Sequence, residues 1–174
     1  LKRAYISKLS LLGYAGLYIY ADISEGIFVK ELLSEQLKRS TVKALKSFNL
    51  DACRLMAHSI VDELLSQSDV SVDMVNIAAF HNYTYAHCIN VAVLSVIVGI
   101  GMGLNYNQLK HLSEAALLHD IGKVNISLDI LNKKEKLTND EMKIIRSHAE
   151  EGYNIIKDNF MISGIVKNAV LSHH

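Results

Sequence analysis

The side chains that could do chemistry here are histidines, one aspartate and one lysine. The stretch HDIGK sets His119, Asp120 and Lys123 within a few residues, and two more histidines stand side by side at His173 and His174. Asp120 follows the apolar run AALL. A carboxylate carried out of a buried stretch is costly unless it is paired or bound to a cation. Neighbouring helix positions diverge by about 100°, so a histidine can serve one ion while the adjacent carboxylate reaches a second. The alternative is an Asp120–Lys123 ion pair beside a hydrogen-bonded histidine. His87 and His148 favour the metal, because they come from two further segments. Imidazole and carboxylate together suit Fe, Mn, Zn, Co or Ni rather than Ca or Mg. Separate helices that each deliver such groups are the pattern of a metal site inside a helical bundle. His58, His81 and His111 show no such arrangement and read as ordinary helix residues.

The elements that must position these groups are helices. Charged and apolar residues at helical spacing over Phe28 to Asn49, including Val29, Leu32, Leu33, Leu37, Val42 and Leu45, predict one connecting helix. Asp51 to Leu65 carries Leu55, Met56, Ile60, Leu64 and Leu65 at helical intervals, and a shorter helix is expected over Ser71 to Phe80. Tyr83 to about Gly101 reads as the most buried helix. Asn105 or Asn107 can cap a helix that runs to about Ile121, with Leu109, Leu112, Ala116 and Leu118 inward and Gly122 as its stop. Thr138 and Glu141 form a capping box for a helix expected to hold His148 in its middle. A last helix starts near Ser163 and ends at the paired histidines. Residues 1–27 differ: a short helix, a glycine break and the strand-like GLYIYAD read as the tail of an α/β unit.

Composition narrows the classes. The chain has 174 residues, half of them hydrophobic, enough for one domain with a core, or for one domain plus a fragment of another. Lys plus Arg equal Asp plus Glu at 18 each, which leaves no basic footprint for a nucleic-acid polymer and no polybasic membrane patch. Its most apolar run, INVAVLSVIVGIGMGL, holds Asn90, Ser95 and three glycines and is shorter than a span needs, so no membrane crossing is expected. Cys53 and Cys88 stand in no metal or redox spacing, which predicts two buried thiols in a reducing, cytoplasmic setting. Proline is absent, as suits long helices. Residue 1 is Leu rather than Met, so a longer parent protein is expected.

Residues 83–174 resemble the HD-GYP family, a branch of the HD phosphohydrolases. The resemblance is carried by YTYAHCINVAVLS, AALLHDIGKVNI, LDILNKKEKLTNDE, IIRSHAEEGYNII and AVLSHH, in that order. It implies a mainly α HD-type bundle over residues 51–174, stopping before the GYP loop. A connecting helix over 28–50 and the end of an accessory α/β region over 1–27 would precede it. It also implies two divalent transition-metal ions, Fe or Mn foremost and Zn, Ni or Co as others. Their ligands would be His87, His119, Asp120, His148, His173 and His174. Asp120 would bridge, and Lys123 would contact the scissile phosphate. Some members hold a third ion through a glutamate at the position of Tyr83, so two ions are expected here. Ser127 and Lys134 stand where the family has prolines, which alters loop stiffness rather than chemistry.

The activity implied is hydrolysis of cyclic di-GMP to pGpG or GMP in bacterial signalling, with a second copy or other signalling domains as partners. Two other readings are an HD phosphohydrolase of another nucleotide or cyclic dinucleotide, and a non-catalytic HD-fold sensor or scaffold. Degeneration removes ligands, and the expected ones up to His174 are intact.

Overall fold

The computed structural model describes residues 32–67 and 83–174, with side chains described from Tyr85 onward in the second segment. The α/β reading of residues 1–27, the helix over Ser71 to Phe80, His81 and the side chain of Tyr83 lie outside the described residues. Within them every regular element is helical, as an HD-type bundle requires: α1 (Glu35–Lys46), α2 (Leu50–Leu65), α3 (Tyr83–Gly101), α4 (Tyr106–Leu118), a 3-10 turn (Ile121–Asn125), α5 (Leu128–Leu131), α6 (Asn139–Arg146), α7 (His148–Ile156) and α8 (Gly164–Ser172). No helix among the described residues is long and apolar enough to cross a membrane.

Helix α4 is the hub. It packs against α2, α3 and α8, and the 3-10 turn that follows it lies on α7. Its inward residues Leu109, Ala116, Leu117 and Leu118 meet Ile60 and Leu64 of α2, Ile89 and Val96 of α3, and Val166 and Val170 of α8 in one continuous core. Each large side chain buried there contributes about 1.5–3 kcal/mol of hydrophobic stabilisation. The close approach of α3 and α4 uses Gly99, where an added methyl would come within 2.8 Å of Leu109 Cδ2. Cys53 and Cys88 are buried as the sequence predicts, and burial pushes their thiols up to about 11 and about 12.

Several boundaries differ from expectation. The connecting helix begins at Glu35, because the Ser34 side chain accepts from Leu37 N–H and caps it there; Leu32 and Leu33 precede it. It is also more than a connector, since Leu37 and Leu45 join the core. In α2 the inward face is Cys53, Ala57, Ile60, Val61 and Leu64, while Leu55 and Leu65 face solvent. Packing against α4 selects that face.

The two differences that shape the site are at helix ends. Helix α4, capped by Asn105 with Gln108 closing the box, stops at Leu118 rather than Ile121. Asp120 then takes φ −96° and ψ 7°, in the sparsely populated bridge region, and the chain tightens into the 3-10 turn. Gly122 is therefore not a helix stop. It is a point of contact: a methyl there would collide with the His148 carbonyl and the Gly152 nitrogen of α7. The capping box of Thr138 and Glu141 forms as expected, but α6 ends at Arg146. Ser147 closes α6 and opens α7, so His148 stands at the junction and not in mid-helix.

Candidate metal centre

Three of the histidines share one local device. His119 directly follows α4, and its Nδ1 donates to Ala116 O at 2.7 Å. His173 directly follows α8, and its Nδ1 donates to Val170 O at 2.8 Å. His148 follows α6 after Ser147, and its Nδ1 donates to Ile145 O. In each case the imidazole satisfies a carbonyl three residues earlier, one of those that a helix end leaves without an intrahelical partner. The bond fixes the tautomer with hydrogen on Nδ1 and leaves the Nε2 lone pair pointing away from the helix. Both unexpected helix ends thus carry a histidine on a freed carbonyl.

Those Nε2 atoms converge. His148 Nε2 lies 3.0 Å from His173 Nε2 and 3.1 Å from His174 Nε2. With Nδ1 of His148 and His173 already donating, two lone pairs face each other, an arrangement that needs a positive charge between them. Nitrogens that share an ion at about 2.0–2.1 Å sit roughly 3.0–3.4 Å apart, so the donor set fits a transition metal. His148, His173 and His174 form one group able to hold an ion, and His87, His119 and Asp120 form another, with ligand atoms in each group within 4.8 Å of one another.

Asp120 stands between the groups. Its Oδ2 is 3.3 Å from His119 Nε2 and 3.8 Å from His87 Nε2, while its Oδ1 is 3.3 Å from His148 Nε2. Lys123 Nζ donates to Oδ2 at 2.7 Å, so the Asp120–Lys123 ion pair exists together with the histidine cluster rather than instead of it. The 3-10 turn brings Lys123 there, one turn after Asp120.

Burial opposes charge on Asp120, but hydrogen bonds from His119, in its protonated form with hydrogen on Nε2 as well, and from Lys123 outweigh it and hold the carboxyl well below the usual carboxylate range. Burial likewise opposes protonation of His119, and there the hydrogen bond and charge of Asp120 win, so His119 is raised. At His87, His148 and His173 burial prevails and each is lowered, which favours the neutral ring. The site opens into a hollow of about 410 Å³ lined by His87, His119, Asp120, Lys123, His173 and His174 among others.

The structure thus gathers all seven residues singled out in the sequence. It also shows two features the sequence reading passed over. Glu114 on α4 is 2% exposed, its Oε2 is 3.7 Å from His58 Nε2, and its Oε1 has no hydrogen-bond partner among the described residues. A signal was available: Glu114 lies three and four residues before the buried Leu117 and Leu118, on the inward face. The other is Phe48, which closes α1 with a positive φ of 52°, and no pattern in the sequence marked it.

The HD domain family model matches residues 84–174. The chain is 28% identical over 158 residues to a cyclic di-GMP phosphodiesterase of Pseudomonas aeruginosa, covering 87% of this chain and 38% of that protein. It is 42% identical over 74 residues to the cyclic di-GMP phosphodiesterase PdeB of Borreliella burgdorferi, covering 42% of this chain and 20% of that protein. A 3'3'-cGAMP-specific phosphodiesterase of Vibrio cholerae is 32% identical over 93 residues, 53% of this chain and 20% of that protein. The chain therefore spans only 20–38% of the length of these relatives. No solved structure matches.

Proposed function

From the premise that the chain belongs to the HD domain family, in the HD-GYP branch that its relatives support, we propose that it is the metal-binding part of a phosphodiesterase that hydrolyses cyclic di-GMP. The observation that carries this reading is the Asp120 carboxylate, one oxygen toward His87 and His119 and the other toward His148. In this reading His87, His119 and Asp120 would hold one divalent ion and His148, His173 and His174 a second, with Asp120 between the two groups. Fe and Mn are the first choices, with Zn, Ni and Co behind them. Such ions supply Lewis-acid charge for phosphate oxygens and lower the pKa of water.

The chain's own residues do the rest. The Nδ1–carbonyl bonds at His119, His148 and His173 hold the rings with Nε2 inward. Lys123 donates to Asp120 and favours its ionised form. Lys123 gives one of its three N–H donors to Asp120. The other two are free to meet an anionic phosphate oxygen, which makes Lys123 the substrate-binding and charge-stabilising group. The products are pGpG or GMP.

A second reading is cleavage of 3'3'-cGAMP, favoured by the name of the Vibrio cholerae relative. Hydrolysis assays of both cyclic dinucleotides by the full-length protein loaded with Fe, Mn or Zn test the proposal. Cyclic di-GMP is expected to be the preferred substrate. Preference for cGAMP selects the second reading, and a folded, metal-loaded protein that cleaves neither rejects both.

A further inference from the structure

Behind the Asp120–Lys123 pair lies a second hollow, distinct from the one that opens over the histidines. Its volume is about 390 Å³, and Asp120 and Lys123 line both. The walls are otherwise different. Here they are apolar and aromatic, with Leu45, Phe48, Tyr85 and Leu131 among them. Such a space is within the range of small-ligand pockets and has the composition they show, mostly apolar with a few polar groups at one edge.

Phe48 draws attention to it. The residue that ends a helix in the left-handed conformation is usually glycine, because a side chain there costs energy. This chain places phenylalanine at that position with φ 52°, and the ring is 41% exposed at the pocket wall rather than buried in the core. Strain of this kind persists where surrounding structure or function holds it. Positive charge is supplied by Lys123, which lines the hollow, and Lys46 Nζ sits 5.7 Å from the Tyr85 ring centroid. A flat, electron-rich ring system attached to an anionic phosphate matches this layout.

We propose that this hollow is a nucleobase subsite, with Phe48 and Tyr85 as its stacking walls, for a purine nucleotide whose phosphate lies at Asp120 and Lys123. It rests on the phosphodiesterase reading for its ligand class. Base-on-aromatic stacking sets the expected scale, a five- to hundred-fold gain in affinity per base.

The test compares binding of GMP and of ribose 5-phosphate to the metal-loaded full-length protein by calorimetry. The two ligands share the phosphate and sugar and differ in the base. Wild-type protein is expected to bind GMP five- to hundred-fold more tightly. Phe48→Gly relieves the backbone strain while it removes the ring, so it keeps the fold. It should abolish most of the difference and leave ribose 5-phosphate binding and metal content unchanged. Tyr85→Leu should reduce the difference as well. Equal binding of the two ligands by wild-type protein overturns the subsite, and so does a Phe48→Gly variant that retains the full preference. Loss of ribose 5-phosphate binding or metal in Phe48→Gly overturns it too, because the residue would then be structural. Base-dependent binding without cyclic di-GMP turnover would reject the reaction and keep the subsite.

Discussion

At the scale of single residues, two substitutions separate holding a metal from using it. Asp120→Ala removes the carboxylate that both ligand groups touch, so elemental analysis of the full-length protein is expected to find most of both ions lost. Retention of two ions per chain would show that the histidines suffice. Lys123→Ala leaves every proposed ligand in place and removes only a cation. Metal content should stay at the wild-type level, while turnover falls roughly a hundred- to a thousand-fold, the cost of one charged donor in a desolvated site. A structural ion pair alone would be worth about 0–1 kcal/mol and leave the rate almost untouched. The residues of this site were legible because histidine and aspartate beside apolar runs are expensive and so informative. The role of each Nδ1 was not, because its partner carbonyl becomes available only where a helix actually ends. Phe48 was invisible for a related reason: nothing in its letter reports a φ of 52°.

At the scale of elements, the junction between the 3-10 turn and α7 holds the two ligand groups together. Gly122 lies against the backbone of His148 and Gly152, with no room for a methyl. Gly122→Ala must push the turn away from α7 and carry Asp120 and Lys123 with it. A destabilisation of about 1–3 kcal/mol is expected from overpacking, together with weaker metal retention, measured by chemical denaturation and by chelator competition on one preparation. Full stability with full metal retention would mean the turn can yield without moving the ligands. Caps were the most legible part of the helices: Asn105 and the Thr138–Glu141 box appear as expected. The break at Ser147 was not, since the run from Asn139 to Ile156 has no glycine or proline before Gly152 to announce it. It arises from tertiary contact, where His148 turns to Ile145 O and its own carbonyl meets Gly122.

At the scale of the whole molecule, Glu114 links stability to pH. Burial between α2 and α4 pushes its carboxyl from 4.5 up to about 7. The folded state therefore binds more protons than the unfolded state in that window. The stability this provides is complete below about pH 4.5 and is lost as pH rises through about 7. Glu114→Gln should raise stability at pH 8 by about 3 kcal/mol relative to wild type, with the difference shrinking toward zero near pH 4.5 in urea titrations. His58, which burial lowers, contributes in the opposite direction and touches Glu114, so His58→Gln and the double variant complete the comparison. An equal offset at every pH would assign the effect to packing instead. The core around this group was legible from apolar spacing in part: Ile60 and Leu64 of α2 are buried as their spacing suggests, whereas Leu55 and Leu65 face solvent because packing against α4 sets the face. The distribution of the ligands along the chain, from His87 to His174, has a consequence in time. Local turns can form early, but helices distant in sequence meet only after the intervening loops have closed. The cation site is thus assembled by the last docking events of the bundle and cannot seed them. In a refolding experiment helical circular dichroism should recover first, and ion uptake should follow as a later phase whose rate does not rise with ion concentration.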